Sequence, residues 1–191
     1  MTDQDSPRES SPQAPSDPGH LIMVGLPGAG KSTVGRVVAK TLGWPFLDFD
    51  LEIARRAGKS VVKLFADEGE TAFRARELAL TLEVRSMSPL VMAPGGGWVT
   101  IPDVLALVRP PARIVHLRVS PEAALLRLAS SRLVRPLLRT DNPRASMESL
   151  WASRAGLYAQ ADLVIDMERV DSQHVIQMVV ALARNLTTGL G

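Results

Sequence analysis

Apolar residues follow two patterns along the chain, which predict strands that alternate with helices. Buried strands are predicted by short apolar runs, at 21–24, 45–48, 90–93, 113–119 and 161–165. Helices are predicted where apolar residues recur every three or four positions, at 33–42, 51–57, 60–65, 70–87, 102–108, 147–160 and 172–183, with one more beginning after Ser120. This alternation favours an α/β fold in which helices cover both faces of a parallel sheet. Ligands of such sheets bind at the carboxyl ends of the strands.

A glycine-rich segment joins the first strand to the first helix. Residues 25–33, Gly-Leu-Pro-Gly-Ala-Gly-Lys-Ser-Thr, fit the phosphate-binding pattern G-x-x-x-x-G-K-[ST]. Such a loop presents backbone N–H groups to a nucleotide phosphate, while Lys31 reaches the β- and γ-phosphates and the Ser32 hydroxyl ligates Mg²⁺. The predicted ATP contacts are Gly28, Ala29, Gly30, Lys31, Ser32 and Thr33. The alternative, a turn without a ligand, is disfavoured because strand, loop and helix follow in the order that the motif requires.

Two aspartates and three glycines lie where the second and third predicted strands end. Asp48 and Asp50 are two residues apart, so extended backbone would place both carboxylates on the same side. Asp48 is predicted to stand beside Mg²⁺, and Asp50 to orient or deprotonate an attacking hydroxyl. The alternative is that one of them only caps the next helix. Gly95, Gly96 and Gly97 expose backbone amides on which a ligand can rest, and a flexible turn is the alternative there.

Arginines supply candidate anion ligands in two parts of the chain. Arg74 and Arg76 precede Glu77, which can hold Arg74 in place for bidentate binding of a substrate carboxylate. Surface ion pairing is the alternative for these arginines. A second group lies around the segment Pro136-Leu137-Leu138 between two predicted helices, and comprises Arg132, Arg135, Arg139 and, on the next helix, Arg154. It is typical of a lid that closes on phosphates, with a solvated basic patch as the alternative for Arg132 and Arg139.

Composition narrows the class of protein. A chain of 191 residues with 46% hydrophobic residues fits one packed domain, predicted at 20–187, after a disordered polar tail at 1–19. No apolar run approaches the roughly 18 residues of a membrane span, and the net charge of +2 does not require nucleic acid or a membrane as a partner. The absence of cysteine agrees with a reducing cytoplasm. His20, His116 and His174 lack metal-ligand spacing, so structural roles are expected for them.

In their order and spacing, these motifs resemble the shikimate kinase family from residue 21 to about residue 183. The residues that carry the resemblance are 25–33, Asp48-Phe49-Asp50, Phe73-Arg74 with Glu77, Gly95-Gly96-Gly97, Arg135-Pro136-Leu137-Leu138 and Arg154-Ala155-Gly156-Leu157-Tyr158. The resemblance implies a P-loop NTPase fold similar to that of nucleoside monophosphate kinases, with strand order 2-3-1-4-5 and a lid. It also implies ATP-dependent phosphorylation of the 3-hydroxyl of shikimate by a monomeric enzyme that uses Mg²⁺.

The same resemblance implies roles for individual residues. Shikimate would be held by Asp50, Arg74, Gly95, Gly96, Gly97 and Arg154, in a pocket lined by Phe65, Phe73, Pro136 and Leu137. Arg135 would be the lid arginine that reaches the transferring phosphate, and Arg127 would pack on adenine. Lys31, Asp50 and Arg135 form the predicted catalytic set. The sequence departs from the family pattern at Pro94, Trp98 and Gly156.

Two other functions are kept as alternatives. A related kinase would phosphorylate another small molecule, but the pair Arg74 and Arg154 disfavours gluconate, and the short lid disfavours a nucleotide acceptor. A catalytically silent metabolite sensor would normally carry a DNA-binding segment, which a tail of 19 residues cannot form.

Overall fold

The computed structural model of the chain describes residues 19–130 and 141–187. Its strands are β1 (Leu21–Val24), β2 (Phe46–Asp48), β3 (Val91–Ala93), β4 (Arg113–Arg118) and β5 (Leu163–Asp166). Its helices are α1 (Lys31–Leu42), α2 (Phe49–Ala57), α3 (Val61–Val84), α4 (Val104–Val108), α5 (Pro121–Ala129), α6 (Pro143–Tyr158) and α7 (Ser172–Thr187), with a 3₁₀ turn at Trp98–Thr100. Each strand predicted from an apolar run is present, and helices separate the strands as expected.

The strands form one parallel sheet in the order β2-β3-β1-β4-β5, which confirms the predicted fold class and strand order. Every residue of the central strand β1 is buried. Because successive side chains of a strand point to opposite faces, this burial means that both faces of the sheet are covered. Asp48 pairs with Ala93 and Val24 pairs with His116, so the carboxyl ends of the central strands meet at one edge of the sheet.

Capping side chains fix where several helices begin. Ser60 caps α3 and Ser120 caps α5 through hydroxyl groups that accept backbone hydrogen bonds. Asn142 caps α6 through its side chain, and Pro143 fits the first helical position, where its missing N–H costs nothing. The apolar pattern predicted that this helix starts at position 147, but α6 begins four residues earlier, at Pro143.

The helix α3 contains a break that separates the two helices predicted at 60–65 and 70–87. Gly69 has φ 81° and ψ 174°, a left-handed backbone conformation that favours glycine. The two predicted helices are thus the two parts of α3, although the first part continues to the break instead of ending at Phe65.

Other boundaries also differ from the prediction. The strand β5 starts at Leu163 rather than 161, because Ala161 still belongs to a hydrogen-bonded turn after α6. Gly19, predicted as the last residue of the tail, is buried, and a Cβ there would lie 2.1 Å from Pro111 O. In the described parts of the chain, no helix is long and apolar enough to cross a membrane.

We expect the substitution Gly156→Ala to stabilise the fold. Gly156 lies inside α6, and a Cβ there would meet no atom within 4 Å. Glycine in a helix interior loses more backbone entropy than alanine, so the free energy of unfolding should rise by about 0.5–1 kcal/mol in urea denaturation. Gly35→Ala is the matched control, because a Cβ at that position in α1 would lie 2.7 Å from Phe46 Cε2. Equal gains for the two variants would contradict this explanation.

Candidate active site

A cleft of about 410 Å³ opens between the phosphate loop and the carboxyl ends of β2 and β3. Its lining consists of Pro27, Gly28, Ala29, Gly30, Lys31, Ser32, Thr33, Val34, Asp48, Asp50, Ala93, Pro94, Gly95, Gly96, Arg127, Leu128, Met167, Val170 and Ser172. The cleft thus brings together the predicted ATP contacts that the structure describes, both aspartates and two of the three glycines. Arg74, Gly97 and Arg154 do not line this cleft. Arg74 lies against the glycine turn, since a Cβ at Gly97 would be 2.1 Å from its Nη2. Arg135 lies outside the described residues.

The phosphate loop has the open backbone that anion binding needs. Gly28 has φ 85°, and a Cβ there would lie 2.6 Å from Ala124 O, so only glycine fits. No side-chain hydrogen bond caps the N-terminus of α1. The first backbone N–H groups of this helix therefore stay available to an anion. Lys31 Nζ donates hydrogen bonds to Gly25 O at 2.9 Å and Leu26 O at 3.1 Å, within its own loop.

Asp48 caps the next helix, which was one of the two roles considered for it, and it also contacts Ser32 of the phosphate loop. Its Oδ1 accepts a hydrogen bond from Leu51 N at 3.2 Å, which caps α2, and its Oδ2 accepts one from Ser32 Oγ at 2.5 Å. The predicted extended geometry of Asp50 is wrong, because the strand ends at Asp48 and Asp50 lies in the first turn of α2. Asp50 still lines the cleft, since this helix follows the strand without a loop between them.

A buried ion pair lies beside the glycine turn. Arg74 Nη1 donates to Glu77 Oε2 at 2.5 Å, and Nη2 donates to Glu70 Oε1 at 2.7 Å. Glu77 is fully buried, and its Oε1 accepts from Gly95 N at 3.1 Å. Burial raises the pKa of Glu77, and the Arg74 guanidinium opposes that shift. Glu77 therefore holds Arg74 as predicted, whereas Arg76 forms a surface ion pair outside the cleft.

The three glycines leave room for protein groups. A Cβ at Gly95 would lie 2.6 Å from Glu77 Oε1, and one at Gly97 would lie 2.1 Å from Arg74 Nη2. A Cβ at Gly96 would come within 3.1 Å of the proline in the phosphate loop. The turn is therefore packed between the phosphate loop and the ion pair, and a larger side chain would displace one of them.

Arg154 on α6 is buried, with 4% of its surface exposed. Its Nε and Nη1 atoms have no hydrogen-bond partner among the described residues, and the same holds for Nε of Arg74. Buried side-chain donors are normally satisfied, so donors without partners call for an explanation. These nitrogen atoms can therefore donate hydrogen bonds to an acceptor atom that the described residues do not supply.

An aromatic cluster that was not predicted from the sequence lies next to Arg154. Tyr158, four residues later on the same helix face, donates its hydroxyl to Gly96 O at 2.7 Å. Its ring stacks on His116 of β4 with centroids 4.8 Å apart, and Trp151 stacks on both rings. Burial raises the pKa of Tyr158 to about 12. The spacing of four residues from Arg154 could have indicated that Tyr158 lies at the same site. His116 is a single polar residue in an apolar strand, and that pattern does not indicate a functional position.

The end of the cleft away from β2 and β3 is lined by the apolar side chains of Leu128, Met167 and Val170. Beside them, Arg127 Nη2 donates to Met167 O at 2.9 Å, so the predicted adenine contact is anchored to the segment after β5. The remaining predicted lid residues, Arg132, Pro136, Leu137 and Arg139, lie outside the described residues.

Of three aromatic residues discussed from the sequence, Phe73 and Trp98 are buried, and Phe65 is partly buried against the core. Phe65 and Phe73 contact each other with ring centroids 4.7 Å apart. Trp98 is buried, and its indole N–H donates to Thr81 Oγ1 at 2.9 Å. Trp98 is not among the residues that line the cleft.

Known proteins resemble this chain in sequence and in fold. The sequence matches the family model for shikimate kinase over residues 27–184. It is 42% identical over 161 residues to a shikimate kinase from Thioalkalivibrio sulfidiphilus and 40% identical over 162 residues to one from Cupriavidus pinatubonensis, with 84% of each chain covered. The fold is similar to that of a shikimate kinase from Acinetobacter baumannii in complex with shikimate, with a TM-score of 0.81, 34% identity, and coverage of 91% of this chain and 96% of that one.

The parallel sheet, the phosphate loop and the cleft between them define a P-loop kinase of small molecules. Within that class, the family match spans most of the chain, and the relatives are similar over nearly their whole length. The chain belongs to the shikimate kinase family, and its activity is that of a shikimate kinase.

We expect His116 to make the fold sensitive to acid. Burial lowers its pKa to about 4, and the charges of Arg118 and Lys31 act in the same direction. The unfolded chain takes up this proton near its ordinary pKa of 6.5, so the stability contributed here is present above about pH 6.5 and is lost as the pH falls toward about 4. When the pH is lowered from about 7 to about 5, the free energy of unfolding should fall in both proteins. The fall should be about 1–2 kcal/mol smaller for His116→Phe than for the parent chain, because the variant lacks the titrating imidazole. Urea denaturation at both pH values measures this, and equal losses would contradict it.

Proposed function

We propose that the chain transfers the γ-phosphoryl group of ATP to the 3-hydroxyl of shikimate. The observation that carries this proposal is the buried Arg154 guanidinium, whose Nε and Nη1 atoms have no partner among the described residues. Together with Nε of Arg74, these donors suit a carboxylate, which guanidinium groups bind with paired hydrogen bonds. The similar shikimate kinase from Acinetobacter baumannii was solved in complex with shikimate, which supports this acceptor.

The cleft is proposed to hold ATP with its phosphates on the backbone N–H groups of residues 28–33. Lys31 would exchange its bonds to Gly25 O and Leu26 O for bonds to the β- and γ-phosphates. Arg127 lies beside the apolar end of the cleft, where a planar guanidinium can stack on adenine.

Ser32 and Asp48 are proposed to hold Mg²⁺. A hydroxyl and a carboxylate are the oxygen donors that this ion prefers, and the 2.5 Å hydrogen bond brings the two together. The described residues contain no group of three or more His, Cys, Asp or Glu side chains that could hold a metal ion. Phosphate and water oxygens would therefore complete the coordination, and the bound ion would neutralise charge that develops on the phosphates.

Asp50 is proposed to orient the attacking hydroxyl and to accept its proton. It lines the same cleft as Lys31, and a Cβ at Gly95 would lie 3.2 Å from Asp50 Oδ1, so this carboxylate stands close to the glycine turn. Phosphoryl transfer needs little covalent help, so placing the hydroxyl in line with the γ-phosphate is the main task. Arg135, from the part of the chain that the structure does not describe, is proposed to complete the catalytic set by stabilising the transferring phosphoryl group.

We further propose that the enzyme is a monomer that works in the cytoplasm. The absence of cysteine from the chain agrees with a reducing compartment. A net charge of +2 gives no strong electrostatic attraction to nucleic acid or to an anionic membrane.

The direct test is a coupled assay of ADP release with ATP and Mg²⁺, comparing shikimate, quinate, gluconate and no acceptor. We expect release that depends on shikimate. Lys31→Ala should lower turnover by about 10²–10³-fold or more, because it removes a charge that stabilises the transferring phosphoryl group, while circular dichroism should show an intact fold. Stronger release with another acid would indicate a related kinase, and ATP binding without turnover would indicate a silent sensor.

Arg154→Ala tests the acceptor site. Removing charge-assisted hydrogen bonds to a carboxylate should raise the KM for shikimate roughly 10- to 100-fold, with a much smaller change in the KM for ATP. Arg76→Ala is the matched control, because this arginine forms its ion pair at the surface and should leave both constants near those of the parent chain. An effect of Arg154→Ala confined to ATP would assign this arginine to the nucleotide instead.

A further inference from the structure

The glycine turn at 95–97 is held by hydrogen bonds on several of its peptide groups. Gly95 N donates to Glu77 Oε1 at 3.1 Å, and Gly95 O accepts from Trp98 N at 3.0 Å. Gly97 O accepts from Thr100 N at 2.9 Å and from Thr100 Oγ1 at 2.7 Å. Side chains and backbone close to the turn in sequence, or on α3, make all of these bonds.

The hydrogen bond on Gly96 O has a different origin. Its donor is the hydroxyl of Tyr158, 62 residues later in the chain, at 2.7 Å. This bond connects the turn directly to α6, the helix that carries Arg154. The two sides of the proposed acceptor site are therefore joined through the hydroxyl of Tyr158.

This bond also fixes the direction of the neighbouring amide. In a trans peptide group the carbonyl of Gly96 and the N–H of Gly97 point in opposite directions. Holding the carbonyl against Tyr158 therefore turns the Gly97 N–H away from α6. No described group accepts a hydrogen bond from the N–H of Gly96 or of Gly97. Gly96 lines the cleft, whereas Gly97 is buried.

Tyr158 is itself held firmly. It is buried, with 1% of its surface exposed, and its ring lies against that of His116 at 4.8 Å between centroids. Trp151, two turns earlier on α6, stacks on Tyr158 with centroids 6.4 Å apart. Burial raises the pKa of Tyr158 to about 12, and the nearby Arg154 guanidinium opposes that shift. The hydroxyl therefore remains a hydrogen-bond donor throughout the neutral range.

We propose that Tyr158 is a positioning residue of the acceptor site, whose hydroxyl holds Gly96 O and so fixes the glycine turn relative to Arg154 on α6. This role rests on the proposed function and makes it more specific. Tyr158 acts through Gly96 and touches neither the reacting hydroxyl nor the phosphates. Its loss should therefore weaken binding of the acid and leave the nucleotide side of the cleft unchanged.

Tyr158→Phe is the test, because it removes only the hydroxyl and keeps the ring stack. A single hydrogen bond of this kind is worth a few-fold to about tenfold in affinity, so the KM for shikimate should rise about 3- to 10-fold. The KM for ATP should stay within about twofold of that of the parent chain. Titration calorimetry with shikimate alone should show a weakening of Kd by a similar factor, which separates binding from the chemical step.

Asp162→Ala is the control for a general loss of stability. Its carboxylate accepts a hydrogen bond from Ile114 N at 2.6 Å where β4 begins, at the edge of the sheet opposite the cleft. It should lower Tm and leave both KM values unchanged. Three results would overturn the positioning role alone. They are an unchanged KM for shikimate in Tyr158→Phe, equal changes in the KM values for shikimate and ATP in that variant, and a rise in the KM for shikimate but not for ATP in Asp162→Ala. A parent chain without shikimate-dependent turnover would overturn the proposed function and this role with it.

Discussion

The buried carboxylate of Glu77 is the constraint around which the glycine turn and the proposed acceptor site are arranged. A fully buried charge is unfavourable unless it is paired and hydrogen-bonded, and here Arg74 and the Gly95 N–H supply those partners. The same bonds fix α3 against the turn that follows β3. Since Arg74 and Glu77 fill the space beside Gly95 and Gly97, the turn has room only for glycine. One ion pair thus determines how α3 and the turn lie against each other and fixes the orientation of Arg74, which is proposed to bind the acceptor.

Sheet order connects this arrangement to the phosphate loop. The strand β3 lies between β2 and β1, so the glycine turn emerges between the aspartates after β2 and the phosphate loop after β1. A Cβ at Gly96 would come within 3.1 Å of the proline in that loop, which shows how closely the two segments approach. The nucleotide and acceptor sides of the cleft therefore share one wall. In a sheet of different order, the same motifs would lie apart.

Local signals predicted much of this structure from the sequence. The phosphate loop, the division into helices before and after residues 66–69, and the pairing of Arg74 with Glu77 each depend on residues close together in the chain, and all were predicted in that way. Asp50 was misplaced because a strand of three residues is too short to show where it gives way to a helix. The contact of Tyr158 with Gly96, and its stack on His116, join segments that only the folded chain brings together. Neither contact produces a periodic pattern of residues along the chain, so neither could be predicted from the sequence.

Lys31 and Ser32 of the phosphate loop have hydrogen-bond partners within the protein before any nucleotide binds. Lys31 donates to Gly25 O and Leu26 O, and Ser32 donates to Asp48. A nucleotide that enters therefore replaces these bonds instead of adding to them, and only the difference between the two sets contributes to affinity. The same exchange runs in reverse after phosphoryl transfer, when the loss of the γ-phosphate leaves Lys31 with fewer phosphate oxygens to bind. If Lys31 binds the phosphates as proposed, the carbonyls of its own loop then compete for the ammonium group, which would favour release of ADP.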